Sequence, residues 1–334
     1  MADYCSKINT DIPQKEWSDF VYNHYQGNIF QTPEMFAVYL EASHHNPVAV
    51  AVFCDGVMRG ILMAVIITNG SMLTKWATAR SLIIGGPLVE NDDPAIVSFL
   101  MDEYTKVLPS FVIYSEIRPV FCPQKYEKAI FESAFQREGH FNLFLNIHDD
   151  PQVLWGNLHK ERRRNITQAL KYGLQFREVT SEKEIKLISD LVELTYKRKR
   201  VPFSYLGIFQ SVKKKLGNHV HFFAAFYGEE MIAGQIRLCY KDLVYAWFAG
   251  SNDAYFKLRP NDFLMWNVIC WSHDRGYTLF DFGGGGKPGV PYGVRDYKLK
   301  YGCEMVDWGR FVRIHKPLLY KVGTFGVKVL GLKK

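Results

Sequence analysis

The chain writes the same supersecondary passage twice. One stretch reads Val48-Ala-Val-Ala-Val-Phe53-Cys-Asp-Gly56-Val-Met-Arg-Gly60-Ile-Leu-Met-Ala64. A second reads Val220-His-Phe-Phe-Ala-Ala-Phe226-Tyr-Gly-Glu-Glu-Met-Ile-Ala-Gly234-Gln-Ile-Arg-Leu238. Each is an apolar strand, a Gly-containing tight turn and a second strand with Gly near its start. Glycine suits such turns because it takes positive φ without a Cβ clash. Phe53 and Phe226 stand 173 residues apart, and Gly60 and Gly234 stand 174 apart, close to half of the 334 residues. The segments after the two hairpins also match. Asp93-Pro94 opens a helix with Ile96, Val97, Leu100 and Tyr104 on one face, and the strand Phe111–Ser115 comes next. In the second copy Pro260-Asn261 opens a helix with Phe263, Leu264, Val268 and Trp271, Gly276 ends it, and Thr278–Phe282 is the strand. Two rounds of hairpin, helix and strand predict a tandem α/β protein with mixed sheets rather than one large sheet. The boundary is expected near Asn146–Pro151, where Asp150-Pro151 has the form of a helix start. The halves are then 1–147 and 148–315, followed by a tail from 316 to 334 for which packing back on the first is one of two alternatives.

A chain of 334 residues buries enough surface to need no metal or disulfide staple. Its six cysteines form no CxxC pair, which predicts reduced thiols and a cytoplasmic protein. Met1–Trp17 is polar, without the apolar core of a signal segment. The longest apolar run, Gly60–Thr68, is well short of the roughly 20 residues that span a bilayer. With 41 basic against 34 acidic side chains the formal charge is +7, which permits an anionic partner without requiring one.

Asp150–Tyr172 reads as one basic helix closed by Gly173. Its apolar stripe passes through Leu154, Leu158, Ile166 and Ala169 or Leu170, and Arg162 falls on it. An arginine there is either paired inside or aimed at an anionic ligand. Lys160 and Arg163 read as a solvated face. The next helix opens on the capping box Ser181-Glu-Lys-Glu184 and ends in Lys197-Arg198-Lys199-Arg200, where cations suit the C-terminal dipole. Gly284-Gly-Gly286-Lys-Pro-Gly289 matches a dinucleotide-binding string, but Pro288 and Pro291 forbid the helix that fingerprint needs. It reads as a flexible or ligand-hugging loop. No histidine pair has a carboxylate or Cys at ligand spacing, so no metal is expected.

Several segments together resemble the Fem-type peptidoglycan aminoacyltransferases, relatives of the GNAT acyltransferase superfamily. They are Arg162-Arg-Arg-Asn165-Ile166 with Ala169 and Gly173; Thr195 with Arg198; Ala233-Gly234; Tyr245-Ala-Trp-Phe-Ala-Gly250-Ser251; Pro260-Asn261 with Leu264 and Trp266; Phe280-Asp281-Phe282-Gly283-Gly284; and Tyr297-Lys298 before Tyr301-Gly302. The resemblance implies two tandem GNAT-like domains, the second carrying the motifs, and no coiled-coil arm. It implies a bacterial acyltransferase of peptidoglycan or other cell-wall biosynthesis. The donor would be an aminoacyl-tRNA or an acyl-CoA, used as a co-substrate with no tightly bound cofactor. The acceptor would be an amine of a cell-envelope precursor, lipid- or nucleotide-linked.

Such a transfer needs two substrates held in line and a cation or hydrogen-bond donor for the developing oxyanion. On this resemblance Lys298 polarises the donor carbonyl or meets a phosphate; on its residue type alone it is an exposed helix lysine. Asp281, at a strand end, holds or deprotonates the incoming ammonium, or else anchors the glycine loop. Asn261 is expected as the N-cap of a helix whose first N–H groups face the donor's phosphates. Tyr297, Gly283 and Gly284 join it on the donor side. Arg162, Arg198 and Tyr245 are assigned to the acceptor. Two departures stand out. Phe30–Met35 resembles the family's opening helix, but Val38 or Tyr39 replaces a lysine often found one turn later, against a nucleotide-linked muropeptide acceptor. Ala79-Arg80-Ser81-Leu82-Ile83-Ile84-Gly85-Gly86 only approximates the pyrophosphate loop of acetyl-CoA enzymes.

The segment 316–334 holds five lysines among Leu318, Leu319, Val322, Phe325, Val329 and Leu330. It either lies on an anionic membrane at its inner face or closes the first domain. Two readings compete with the leading one: a GNAT acyl-CoA N-acyltransferase for an amino sugar of an exopolysaccharide, and a catalytically inactive twin-GNAT binding or assembly module.

Overall fold

The structure is a computed structural model and describes residues 4–68, 78–199 and 208–329. Arg200 and the last five residues, including Leu330, lie outside them.

The chain begins with β1 (Tyr4–Ile8), α1 (Gln14–Asn23) and α2 (Pro33–Glu41), followed by the first hairpin, β2 (His45–Cys54) and β3 (Val57–Ile67). Then come β4 (Arg80–Ile84), β5 (Leu88–Val89), α3 (Pro94–Val107), β6 (Tyr114–Arg118), α4 (Glu127–Glu132) and β7 (Gln136–Glu138). The next stretch holds β8 (Phe141–Asn146), α5 (Pro151–Asn157), α6 (Lys160–Lys171), β9 (Gln175–Val179), α7 (Glu182–Arg198) and α8 (Ile208–Leu216). The second hairpin is β10 (Val220–Tyr227) and β11 (Glu230–Tyr240), followed by β12 (Leu243–Ser251), α9 (Pro260–Asp274), β13 (Leu279–Gly286), α10 (Gly293–Leu299) and β14 (Glu304–Asp307). The chain closes with β15 (Arg310–Ile314) and α11 (Pro317–Val329).

Two compact units result, each around a mixed sheet. The first takes the chain up to Gly139 together with β15 and α11; the second is His140–Asp307. The first sheet runs β1-β2-β3-β4-β6-β15-β7 with β5 beside β3, and the second runs β14-β8-β13-β12-β11-β10-β9. Both hairpins form as expected, with Asp55 and Gly56 both at positive φ in the first turn and Gly228 in the second. In each unit a helix carries the chain to a parallel neighbour: α3 links β4 to β6, and α9 links β12 to β13.

The sheets correct the boundary expected at 147. β8 pairs with β13 and β14, so it is a strand of the second unit. β15 pairs with β6 and β7 of the first. Both are long-range pairings that local sequence pattern does not report. The strand expected at Phe111–Ser115 is instead β6, from Tyr114.

The basic helix is also corrected. It is two helices, because Leu158 is extended (ψ 139°). His159 then caps α6, its Nδ1 accepting from the Glu161 N–H at 3.3 Å. Arg163, expected in solvent, donates to the carbonyls of Gly156 and Leu158 at 2.7 and 2.8 Å and so satisfies the end of α5. The apolar stripe still works across the break: Leu154, Leu158, Ile166 and Ala169 are buried in one core cluster with Val268 and Ile269 of α9. Full burial of such an aliphatic side chain is worth about 1.5–3 kcal/mol.

The stretch Gly283–Gly286 is strand, not flexible loop. It pairs with Leu143, Asn142 and Phe141 of β8 through two irregularities. A Cβ on Gly285 would come within 2.5 Å of the Leu143 side chain, so the close approach of two strands explains that glycine. The longest described helix, α7, has 17 residues. No described helix is long and apolar enough to cross a membrane.

Candidate active site

The site forms where a parallel pair of strands parts in the second unit. β12 and β13 pair only at Leu243–Leu279, Val244–Phe280 and Tyr245–Asp281. Beyond that, β12 stays with β11 to Ser251 while β13 continues along β8 to Gly286. The corresponding parallel pair of the first unit, β4 and β6, remains joined over five positions from Arg80–Tyr114 to Ile84–Arg118. The stretch Ala79–Gly86 is mostly β4. A Cβ on Gly85 would stand 2.4 Å from Asn28 Nδ2, so the protein's own side chains occupy that loop.

A β-bulge marks the point of separation. Ile236 pairs with Phe248 and Arg237 with Ala246, leaving Trp247 as the extra residue of β12. Arg237, 1% exposed, holds this bulge from the inside. Its guanidinium donates to the carbonyls of Ile236 and Phe248 at 3.1 and 3.4 Å, the register pair that borders the irregularity. It also donates to Gln235 Oε1 and meets Met265 Sδ at 3.6 Å. Its hydrogen-bond partners among the described residues are all neutral, and burial pulls its pKa down to about 9. Sequence reasoning passed over Arg237, although a charge on the inward-facing parity of an apolar strand was a visible signal.

Asp281 is the last residue of β13 paired to β12, and it is fully buried. Its Oδ1 accepts the Gly283 N–H at 2.6 Å, which positive φ at Gly283 makes possible. Its Oδ2 has no partner among the described residues. Burial raises its pKa to about 7, against the pull of the Gly283 N–H and of Lys298. Lys298 stands in the last turn of α10, half-buried, with Nζ donating to the Gly284 carbonyl at 2.8 Å. Burial lowers it to about 8, and Asp281 opposes that fall. The Cys303 thiol donates to the Lys298 carbonyl at 3.2 Å, and burial pushes that thiol up to about 12, so it is no nucleophile at neutral pH. Tyr245 is in register with Asp281, and its hydroxyl lies 3.7 Å from where a Gly283 Cβ would stand. Asp281, Gly283, Gly284, Lys298 and Tyr245 are therefore brought together.

Behind them lies a buried polar network. Asp262 of α9 accepts from Arg162, from Asn165 Nδ2 at 2.7 Å and from the Tyr301 hydroxyl at 3.0 Å. Tyr297 and Tyr301 share a hydroxyl contact of 2.8 Å, and the Arg162 guanidinium lies 4.6 Å over the Tyr297 ring. Glu161 joins Arg162 at 3.0 Å to Lys300 at 2.6 Å. This corrects two assignments. Arg162 is committed to a buried ion pair rather than presented to an acceptor. Tyr297 is a wall of that network beside Lys298, and burial raises its pKa. Asp262 was not singled out in the sequence; one carboxylate on an apolar helix carries little signal.

Asn261 is not the N-cap of α9. Arg259 holds that position at φ 61° with no side-chain cap, and Pro260 comes next. Asn261 instead donates to Ser251 Oγ at 3.2 Å, and the Ser251 N–H donates to Thr195 Oγ1 at 3.0 Å, tying α9 and α7 to the end of β12. Arg198 lies with this group rather than with Lys298: it pairs with Asp253 at 3.3 Å and covers the Phe256 ring at 4.9 Å. No group of three or more metal-ligating side chains occurs among the described residues.

Comparison with known proteins fits this geometry. The acetyltransferase (GNAT) domain family profile matches residues 157–299. In fold the chain is similar to tandem GNAT proteins, and the parted strands lie in the unit that the profile matches. A tandem GNAT protein from the clavulanic acid biosynthesis pathway superposes with TM-score 0.58 at 9% identity, over 94% of this chain and 99% of that one. FemX superposes with TM-score 0.72 at 14% identity, over 95% of this chain and 99% of its own. In sequence, the chain is 26% identical to aminoacyltransferase FemB of Staphylococcus epidermidis over 264 residues, 70% of this chain. It spans 58% of the length of that relative. The chain is similar to the Fem-type aminoacyltransferases in both sequence and fold.

Proposed function

We propose that this chain is an acyltransferase that moves an aminoacyl or acyl group from an activated donor to an amine of a cell-envelope precursor. The observation that carries the reading is the Asp281–Lys298 pair set where β12 leaves β13, with one carboxylate oxygen unpartnered. An amine attacks an ester or thioester carbonyl only after its ammonium gives up a proton. A buried carboxylate with a pKa of about 7 is matched to accept that proton near neutral pH. Lys298, still largely cationic at pH 7, balances the oxyanion that forms as the C–N bond is made. The oxyanion collapses by breaking the C–O bond to a tRNA ribose or the C–S bond to CoA, and the second proton of the attacking nitrogen passes to the leaving oxygen or sulfur. No covalent enzyme intermediate is needed, and the inert Cys303 is consistent with that.

On this reading Gly283 and Gly284 offer backbone groups to the donor without side-chain obstruction. The start of α9, held by Asn261 and Ser251, faces its phosphates. Tyr245 orients the acceptor amine. Arg162 and Tyr297 position the Lys298 helix without touching substrate, and Arg198 meets the anionic part of the acceptor from α7. The similarity to aminoacyltransferase FemB is what favours an aminoacyl donor, and the motifs shared with the Fem-type peptidoglycan aminoacyltransferases favour a peptidoglycan precursor. The test is direct. The protein is incubated with an amine-bearing envelope precursor and either aminoacyl-tRNA or an acyl-CoA, and amide product is detected by mass spectrometry. Product with charged tRNA supports the proposal; product with acyl-CoA and an amino sugar alone moves it to the N-acyltransferase alternative. Binding without product in either case makes the chain a non-catalytic module.

A further inference from the structure

α11 has two faces of different character. One is fastened to the first unit. The Tyr320 ring meets the Tyr114 ring edge-on at 5.3 Å. The N–H groups of His315 and Lys316 donate to the Ile113 carbonyl at 2.8 and 3.0 Å, and the His315 ring contacts Ser115 Oγ at 2.8 Å. The other face is bare. Leu318 is 80% exposed and Val322 69%, with Leu319 also exposed beside them. At about 100° per residue, Leu318 and Val322 stand roughly opposite Tyr320, and the same spacing recurs in the sequence at Phe325 and Val329. An exposed apolar row flanked by the exposed Lys321, on a segment with no acidic residue, is a surface made for a partner that is itself apolar inside and anionic outside.

The charge of the segment identifies that partner. From His315 to Lys334 there are five lysines and no aspartate or glutamate, and Lys316 and Lys321 are exposed. A second copy of this face would bring like charges together, whereas an anionic lipid surface attracts every one of them. We propose that α11 lies flat on an anionic bilayer surface, with Leu318 and Val322 among the acyl chains and the lysines at the headgroups. Both alternatives read from the sequence then hold, each for one face of the helix. The proposal is independent of the transfer reaction.

The test is co-sedimentation of the full chain with vesicles of phosphatidylglycerol and phosphatidylcholine, beside vesicles of phosphatidylcholine alone. Partition onto the anionic vesicles that weakens with added salt is expected. The Leu318→Ser/Val322→Ser variant, with unchanged melting temperature and far-UV circular dichroism, should lose at least tenfold in partition. Absence of binding to anionic vesicles, or equal binding by the double variant, overturns the proposal. So does light scattering that shows a wild-type dimer reduced to a monomer in the double variant, which would assign the row to a second copy.

Discussion

Replacing Asp281 by Asn should abolish transfer and stabilise the protein. The side chain is fully buried, and burial lifts its pKa from 3.8 to about 7. The folded chain thus binds this proton more tightly than the unfolded one, so the carboxyl's contribution to stability is complete below pH 3.8. It drains away as the pH rises and levels off above about 7. At about 1.4 kcal/mol per pH unit, the wild type gives up about 3 kcal/mol by pH 6 and about 4 kcal/mol by pH 8. Asparagine keeps the Oδ1 that accepts the Gly283 N–H and has no charge to desolvate. The variant should therefore match the wild type near pH 4 and exceed it by about 4 kcal/mol at pH 8. A unit the length of His140–Asp307 gains ~2–4 °C per kcal/mol, so the melting temperature at pH 8 should rise by on the order of 10 °C. Differential scanning fluorimetry from pH 4 to 8 reads this directly. A variant no more stable than wild type at pH 8, or a difference independent of pH, would refute a buried titrating carboxyl at 281.

Two further outcomes are expected from the packing around the pair. Asp262→Ala leaves the Arg162 guanidinium buried without its carboxylate and releases Asn165 and Tyr301, so urea denaturation should show a loss of about 3–5 kcal/mol; a loss below about 1 kcal/mol would mean that the network is not closed as described. Gly250→Ala places a Cβ 2.3 Å from the Leu191 carbonyl where α7 crosses β12, and should lower stability by about 1–3 kcal/mol in the same assay, with no loss counting against that contact.

How much of this was legible in the sequence depends on the range of each interaction. The hairpins and the helix starts at Asp93-Pro94 and Ser181 rest on near neighbours, and they form where the residues say, although Glu184 accepts the Ser181 hydroxyl and not the N–H of a full capping box. The placement of β8 and β15 depends on partners in the other half of the chain, and the boundary read from Asp150-Pro151 missed both. The break at Leu158 escaped because an unbroken apolar stripe runs through it. His159 and Arg163 supply the caps, and neither residue type announces that role. At the site, Asp281, Lys298 and the two glycines were visible as motif. What makes them chemistry was not: the parting of β12 from β13, the bulge at Trp247 and the buried guanidinium of Arg237 that spans it. Arg162 was left open between ion pair and ligand because helical spacing shows which face a residue occupies, and the answer lay 100 residues away in Asp262.

A catalytic Asp281–Lys298 pair is tested most directly by the pH dependence of amide formation, measured as an initial rate with wild type beside Lys298→Ala. Transfer requires Asp281 without its proton and Lys298 with one, so the rate should climb through about pH 7 and decline through about pH 8, the two limbs belonging to the coupled pair. A folded Lys298→Ala protein should lose the alkaline limb and most of the rate. A rate level from about pH 6 to 9, or a Lys298→Ala protein as fast as wild type, would contradict it.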